Sequence, residues 1–275
     1  MSAQAGSALA VAPGVRRILA GNPGMMTGAG TNTYLLGGSE VAVLDPGPDD
    51  TAHLQRIRAA AGEGVRWVIV THTHPDHSPL AARLARETGA QLIGLPPPSD
   101  GRQDERFKPD HEPADGETLP LGGIALTAIH TPGHASNCVC YLLAAQKLLF
   151  TGDHVLGGVS PVILPPDGDM SEYIRSLDKL AALDFERIAP GHGEILAQGK
   201  RVVAALRAHR MEREAKVLKC LASPSTIDAL VPAVYDDVPA DRHGWAKLTL
   251  TAHLIKLARE SKVLEHQGVW RIAGE

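Results

Sequence analysis

Trp67-Val68-Ile69-Val70-Thr71-His72-Thr73-His74-Pro75-Asp76-His77 is an apolar run that opens directly onto three histidines and an aspartate within six residues. Four consecutive bulky apolar residues read as a buried strand. Alternate side chains of an extended segment share a face, so His72 and His74 can converge on one ion. The chain bends at Pro75, and Asp76 and His77 can face a second ion. Imidazole and carboxylate are the ligand types expected for zinc and related borderline metals. A solvated, histidine-rich loop is the plainer alternative, and the density of ligand types argues against it.

Working outward, three more candidate ligands follow apolar strands beside glycines, where a backbone can approach a site closely. His134 lies in Thr131-Pro-Gly-His, Asp153 in Phe150-Thr-Gly-Asp-His, and His192 in Pro190-Gly-His-Gly. Singly, each reads as a polar turn residue. In this order behind the first motif, they read as one metal site.

The chain thereby resembles the metallo-β-lactamase superfamily, whose pattern is an Asp ending an early strand, then HxHxDH, a His, a bridging Asp and a final His. Asp45, His72, His74, Asp76, His77, His134, Asp153 and His192 match those positions. The resemblance implies an α/β fold, a four-layer αβ/βα sandwich, with two divalent metal ions in a groove at one edge. It implies that His72, His74 and His134 bind one ion and that Asp76, His77 and His192 bind the other, with Asp153 bridging. Asp45 would orient ligands through hydrogen bonds. Zinc is the metal expected, with iron and manganese as alternatives for the same ligands. Two such ions lower the pKa of a shared water and polarise the bond to be cleaved. Asp76 and Asp153 are therefore the expected catalytic carboxylates. His154 stands next to the bridging Asp, either packing behind the ligands or donating to a leaving group.

Further segments resemble the beta-lactamase-like protein 2 group. They are Asn22-Pro-Gly-Met-Met-Thr, Gly30-Thr-Asn-Thr-Tyr-Leu-Leu-Gly and a C-terminal extension starting near His209-Arg-Met-Glu-Arg-Glu. Helical spacing over about 200–221, 227–235 and 245–260 precedes a hairpin signal at Val263–Leu264 and Val269–Ile272. Three helices and a hairpin are the order of a winged helix. Ser225 is expected to cap the second of these helices. The division expected is 1–200 for the catalytic domain and 201–275 for the winged-helix-like domain.

Other elements follow from periodicity. Strands are expected at 15–20, 33–36, 41–44, 91–94, 124–129, 139–143, 147–151 and 185–189, and helices at 51–61, 79–88 and 170–183. The polar, Pro-rich stretch 96–117 reads as a long surface loop. Met25 and Met26 sit in a Gly-rich loop and are candidates to flank a substrate.

Composition bounds the remaining choices. The 275 residues are 44% hydrophobic and 21% charged, with a net charge of -4, so the molecule as a whole is no obvious polyanion binder. From Lys200 onward there are 13 Lys/Arg against 9 Asp/Glu (+4), leaving 14 against 22 upstream (-8). Three cysteines cannot build a disulfide framework, which suits a reducing compartment. With no signal-like leader and no apolar run of about 18 residues, a cytoplasmic location without a membrane span is expected.

Two enzymatic readings remain. In one, an ester, thioester or lactam-type bond of a small acyl substrate is hydrolysed, and the winged helix walls the groove or mediates a homodimer. In the other, single-stranded RNA is cut, guided by Arg207, Arg210, Arg213, Lys247, Lys256 and Arg259. Trp245, Trp270 and Tyr235 then read as core residues of the small domain. A non-enzymatic winged-helix nucleic-acid binder with a degenerate metal domain would have lost at least one ligand, and all seven are present.

Overall fold

A computed structural model describes residues 8–274; the first part of the small-residue leader, 1–7, lies outside them. Fourteen strands occur among the described residues. They are β1 (Leu9–Ala12), β2 (Val15–Leu19), β3 (Asn32–Gly37), β4 (Val41–Leu44), β5 (Val65–Ile69), β6 (Gln91–Ile93) and β7 (Thr118–Leu121). β8 (Ile124–His130), β9 (Val139–Leu143), β10 (Leu148–Gly152), β11 (Arg187–Pro190), β12 (Ser225–Thr226), β13 (Val263–His266) and β14 (Val269–Ile272) follow. The α-helices are α1 (Thr51–Ala61), α2 (Ala81–Thr88), α3 (Met170–Ala181), α4 (Gly199–Cys220), α5 (Ile227–Val234) and α6 (His243–Arg259).

The described chain divides into two units. The first runs through Thr131 and adds Asn137–Ser160 and Leu183–Lys200. It holds a six-stranded sheet ordered β1-β2-β3-β4-β5-β6 and a five-stranded sheet ordered β11-β10-β9-β8-β7. Inward residues of the two sheets, among them Tyr34, Leu44, Ile69, Leu126, Tyr141 and Phe150, form one buried core. On the other face of the first sheet, Leu35, Val43 and Val68 pack with Leu54 and Ile57 of α1 and Leu84 of α2. Buried on both faces, β4 and β5 read as continuous apolar runs, as strands of a covered parallel sheet should.

Direction is what positions the site. β4, β5 and β6 are mutually parallel, and β8, β10 and β11 run the same way in the second sheet. Parallel strands bring their C-terminal ends to one edge, where ligands of open α/β sheets collect. The residues after β4, β5, β8, β10 and β11 are those that carry Asp45, the HxHxDH segment, His134, Asp153 and His192.

The second unit comprises Pro132–Ser136, Pro161–Ala182 and the chain from Arg201 onward. Its core joins Val217 of α4, Leu221 just after it, Leu230 and Val234 of α5, Leu250, Leu254 and Leu257 of α6, and Val263. The small sheet β12-β14-β13 closes it, and the winged-helix order expected from sequence is present. α3 belongs to this unit, because Arg210 lies 5.2 Å above the Tyr173 ring and Arg207 and Arg259 pair with Asp178 and Asp169.

Several details differ from expectation. Part of the leader forms β1, an edge strand held by its ladder to β2. β7 lies just after the stretch read as loop and is joined to β8 by a hairpin turn at Gly122-Gly123, both at positive φ. The 96–117 stretch is tied down, since Phe107 is buried and the Asp104 amide donates to the Thr73 carbonyl (2.8 Å). Thr226, not Ser225, caps α5: its hydroxyl accepts from the Ala229 amide (3.4 Å). Trp245 is 41% exposed, so it is not a core residue, whereas Tyr235 is buried. No helix among the described residues is long and apolar enough to cross a membrane.

Candidate metal centre

Immediately after β5, the Thr71 amide and hydroxyl both donate to Asp45, each at 2.7 Å. Asp45 follows β4 at φ 50°, a left-handed conformation that Asp tolerates better than most residues. It is fully buried. Its Oδ2 also lies 3.0 Å from His77 Nδ1. That contact places a proton on Nδ1 and turns the Nε2 lone pair into the site, the usual role of a carboxylate behind a ligand histidine.

Two other rings are braced in the same manner, by backbone. His192 Nδ1 lies 3.1 Å from the Gly30 carbonyl, and His134 Nδ1 lies 2.8 Å from the Val162 carbonyl. His72 Nδ1 lies 3.1 Å from the Thr71 hydroxyl, and its Nε2 faces His74 Nδ1 at 3.0 Å. Two nitrogens each about 2.0–2.1 Å from a common ion would be separated by roughly this much.

The seven expected ligands fall into two groups, in each of which the ligand atoms lie within 4.8 Å of one another: His72, His74 and His134, and Asp76, His77, Asp153 and His192. Asp153 is placed with the second group; bridging remains an expectation. Within that group His192 Nε2 stands 3.1 Å from Asp76 Oδ2 and 3.3 Å from Asp153 Oδ1. His77 Nε2 stands 3.6 and 3.4 Å from the same two carboxylates. Despite this crowding, the Nε2 atoms of His77 and His192 are buried and make no hydrogen bond. Buried polar atoms left so are rare unless an ion or water completes them. Two imidazole nitrogens and two carboxylates around a shared space are a donor set that fits a divalent cation.

Electrostatics agree. Burial would raise the Asp76 carboxyl, but His77 and His192 outweigh it and hold it down to about 2. Asp153 is held well below the ordinary carboxylate range by His192 and His77, again against burial. Burial would lower His192, yet Asp153 and Asp76 push it up to about 9. His77 is driven upward by Asp76, Asp153 and Asp45, against the same opposing effect of burial. Ring protons thus balance the carboxylates, and an incoming cation would displace them.

Some contributors had no signal as ligands in the sequence. Thr73 lies between two of the candidate ligand histidines, with its hydroxyl bonded to Gln103 and Asn137, at 2.5 and 2.6 Å. Asn32 donates to the carbonyls of Pro190 and Gly193, at 3.0 and 2.8 Å, holding the His192 turn. Gly191 is required because a Cβ there would sit 2.5 Å from Asp153 Oδ1 and 2.7 Å from His77 Cε1. His154 is wholly buried and belongs to neither ligand group, which suits packing rather than contact with a substrate. Met25 and Met26 are exposed, at 76% and 46%.

The basic residues proposed to guide RNA are engaged within the protein. Arg207, Lys247 and Arg259 pair with Asp178, Asp228 and Asp169. Arg210 donates to the Pro161 carbonyl, Arg213 pairs with Asp237, and Lys256 with Glu214 and Glu260; these three are buried.

Comparison with known proteins follows the same lines. The metallo-beta-lactamase superfamily pattern matches residues 26–192, and the pattern of a beta-lactamase associated winged helix domain matches 226–270. An atrochrysone carboxyl ACP thioesterase of Aspergillus fumigatus is 31% identical over 92% of this chain and 84% of its own length. A beta-lactamase-like protein 2 homolog of Caenorhabditis elegans is 32% identical over 88% of this chain and 82% of its own. Among solved structures, a metallo-beta-lactamase family protein from Thermus thermophilus superposes with a TM-score of 0.80 at 23% identity, covering 96% of this chain and all of that one. A beta-lactamase domain protein from Burkholderia ambifaria gives 0.83 at 22% identity, covering 98% and 94%.

Proposed function

Because the chain belongs to the metallo-beta-lactamase superfamily, a family of hydrolases, we propose that it is a dinuclear metal-dependent hydrolase of acyl thioesters or esters. The observation that carries the proposal is the pair of ligand groups, with the buried Nε2 atoms of His77 and His192 aimed at shared space. The thioesterase name borne by relatives at 31% identity supports an acyl substrate. In this reading residues 1–200 supply the catalytic domain and 201–275 the winged-helix-like domain.

His72, His74 and His134 would hold one ion, and Asp76, His77 and His192 the other, with Asp153 between them; zinc fits the imidazole-rich set. When bound, the ions would supply Lewis acidity and acidify water near neutral pH. The protein's own contribution is to fix the ligands beforehand. Asp45 keeps the proton on His77 Nδ1, and the Gly30 and Val162 carbonyls do the same for His192 and His134. Asp76 is the more exposed of the two carboxylates, at 26% against 13% for Asp153. It is therefore the better placed to accept a proton from, and orient, an attacking water.

Elemental analysis combined with hydrolysis assays on an acyl thioester, a chromogenic β-lactam and single-stranded RNA tests this. The expected result is two ions per chain and thioester cleavage that is lost in His72→Ala and Asp153→Ala together with metal. A protein that retains no metal, or that cuts RNA while sparing the acyl substrates, overturns the proposal.

A further inference from the structure

We infer that Arg210 of α4 is a positioning residue for the turn that carries His134, an inference that rests on the dinuclear reading above. The turn Pro132–Ser136 is held by the segment 161–176 at four points. Ser176 Oγ donates to the Pro132 carbonyl (2.8 Å), and the Asp169 amide donates to the Gly133 carbonyl (2.9 Å). His134 Nδ1 lies 2.8 Å from the Val162 carbonyl, and the Ser136 amide donates to Asp167 Oδ2 (3.1 Å). Gly133 is pressed so closely onto Tyr173 that a Cβ would lie 2.3 Å from the Tyr173 Cα. The direction of the His134 ring is thus set by where 161–176 stands.

Arg210 grips that segment at two points. Its guanidinium donates to the Pro161 carbonyl, on the peptide adjoining the one that holds His134. The same group lies 5.2 Å from the centroid of the Tyr173 ring, whose backbone backs Gly133. Fixing the Pro161 carbonyl anchors the Val162 Cα, from which the Val162 carbonyl hangs, because neighbouring peptide planes share a Cα. Stacking on Tyr173 restrains the opposite wall of the turn. A planar guanidinium can do both at once, whereas an ammonium offers only point donors. Arg210 is 3% exposed, so the grip is shielded from water and from salt. Groups bonded directly to a metal ligand commonly change metal affinity about 10–100-fold when removed, and Arg210, one step further out, is expected at the lower end of that range.

Arg213 supplies the contrast. It lies three residues further along α4, is similarly buried, and also stacks on a tyrosine, 4.3 Å from the Tyr235 ring centroid. Its partners are Asp237 and the Val234 carbonyl, outside the 161–176 segment. Burial, charge and aromatic stacking are therefore matched, and contact with the His134 support is not.

Zinc stoichiometry and affinity, measured by chelator competition on full-length wild type, Arg210→Met, Arg210→Lys and Arg213→Met alongside thermal melting, test the inference. Wild type is expected to hold two ions. Arg210→Met should weaken one of them about 10-fold and leave the other unchanged, with Arg210→Lys between. Arg213→Met should lower the melting temperature while keeping both affinities. If Arg210→Met does not fold, Arg210→Lys carries the same comparison. Folded Arg210 variants with wild-type affinity for both ions overturn the inference, as does an Arg213→Met variant that loses metal equally. A wild-type protein that binds no zinc would instead remove the metal reading itself.

Discussion

Gly191 shows how little slack the centre has. A methyl group there would press on Asp153 Oδ1, at 2.5 Å, and on the His77 ring, at 2.7 Å. Both neighbours are fixed, His77 by its bond to Asp45, so they cannot yield cheaply. Gly191→Ala is expected to lower metal content to one ion or fewer per chain, read by elemental analysis, while the far-ultraviolet spectrum stays that of the wild type. At the same scale the sequence was most legible. All seven residues that gather in the two groups could be named as candidate ligands from their motifs, because imidazole and carboxylate at this density have few other uses. Their supports could not be named. The carbonyls of Gly30 and Val162 are backbone atoms common to every residue, and Asn32, Gln103 and Asn137 are ordinary polar residues until folding places them.

At the scale of elements, α1 has the same limits in the structure as its periodicity predicts, Thr51–Ala61, because Asp50 caps it through the His53 amide (2.7 Å) and Gly62 ends it. α5 differs at its cap. Ser225 and Thr226 both lie in β12, and the helix starts at Ile227, so Thr226 stands at the cap and meets the Ala229 amide while the Ser225 hydroxyl bonds to the Ser223 carbonyl (3.2 Å). Thr226→Ala should therefore cost about 1 kcal/mol in chemical denaturation, and Ser225→Ala a few tenths at most. Equal effects would contradict the assignment. The two N-cap candidates stand side by side, both paired in the small sheet, and what decides between them is that the strand gives way to the helix only after Thr226. β1 and β7 were hidden for a related reason: short edge strands draw their order from the ladder rather than from their own side chains.

For the molecule as a whole, two buried histidines make stability depend on pH below neutrality. Burial, with help from Arg56, lowers His53 to about 4. Burial, together with Arg210 and Lys256, lowers His253 to about 3, and neither of its ring nitrogens has a hydrogen bond, with Glu214 standing 4.0 Å away. Both are neutral when folded and near their ordinary 6.5 when unfolded. Below that pH the unfolded chain takes up protons that the folded chain refuses, so stability falls as pH drops from about 6.5 toward 4, by roughly 1.4 kcal/mol per unit for each group. Denaturation midpoints at pH 7.5 and 5 should show the loss, and His253→Gln should flatten it; an unchanged slope would rule out His253 as the source. The sequence by itself determined the α/β class, the winged-helix order and which histidines and aspartates are candidates for a metal, since each is written in local spacing or in short motifs at the ends of strands. Tertiary structure alone decided which nitrogen each histidine presents, that α3 joins the C-terminal helices, and that the basic residues of those helices are spent on internal partners. Those outcomes depend on contacts between residues far apart in the chain, and no local pattern encodes which distant carbonyl or carboxylate a side chain will meet.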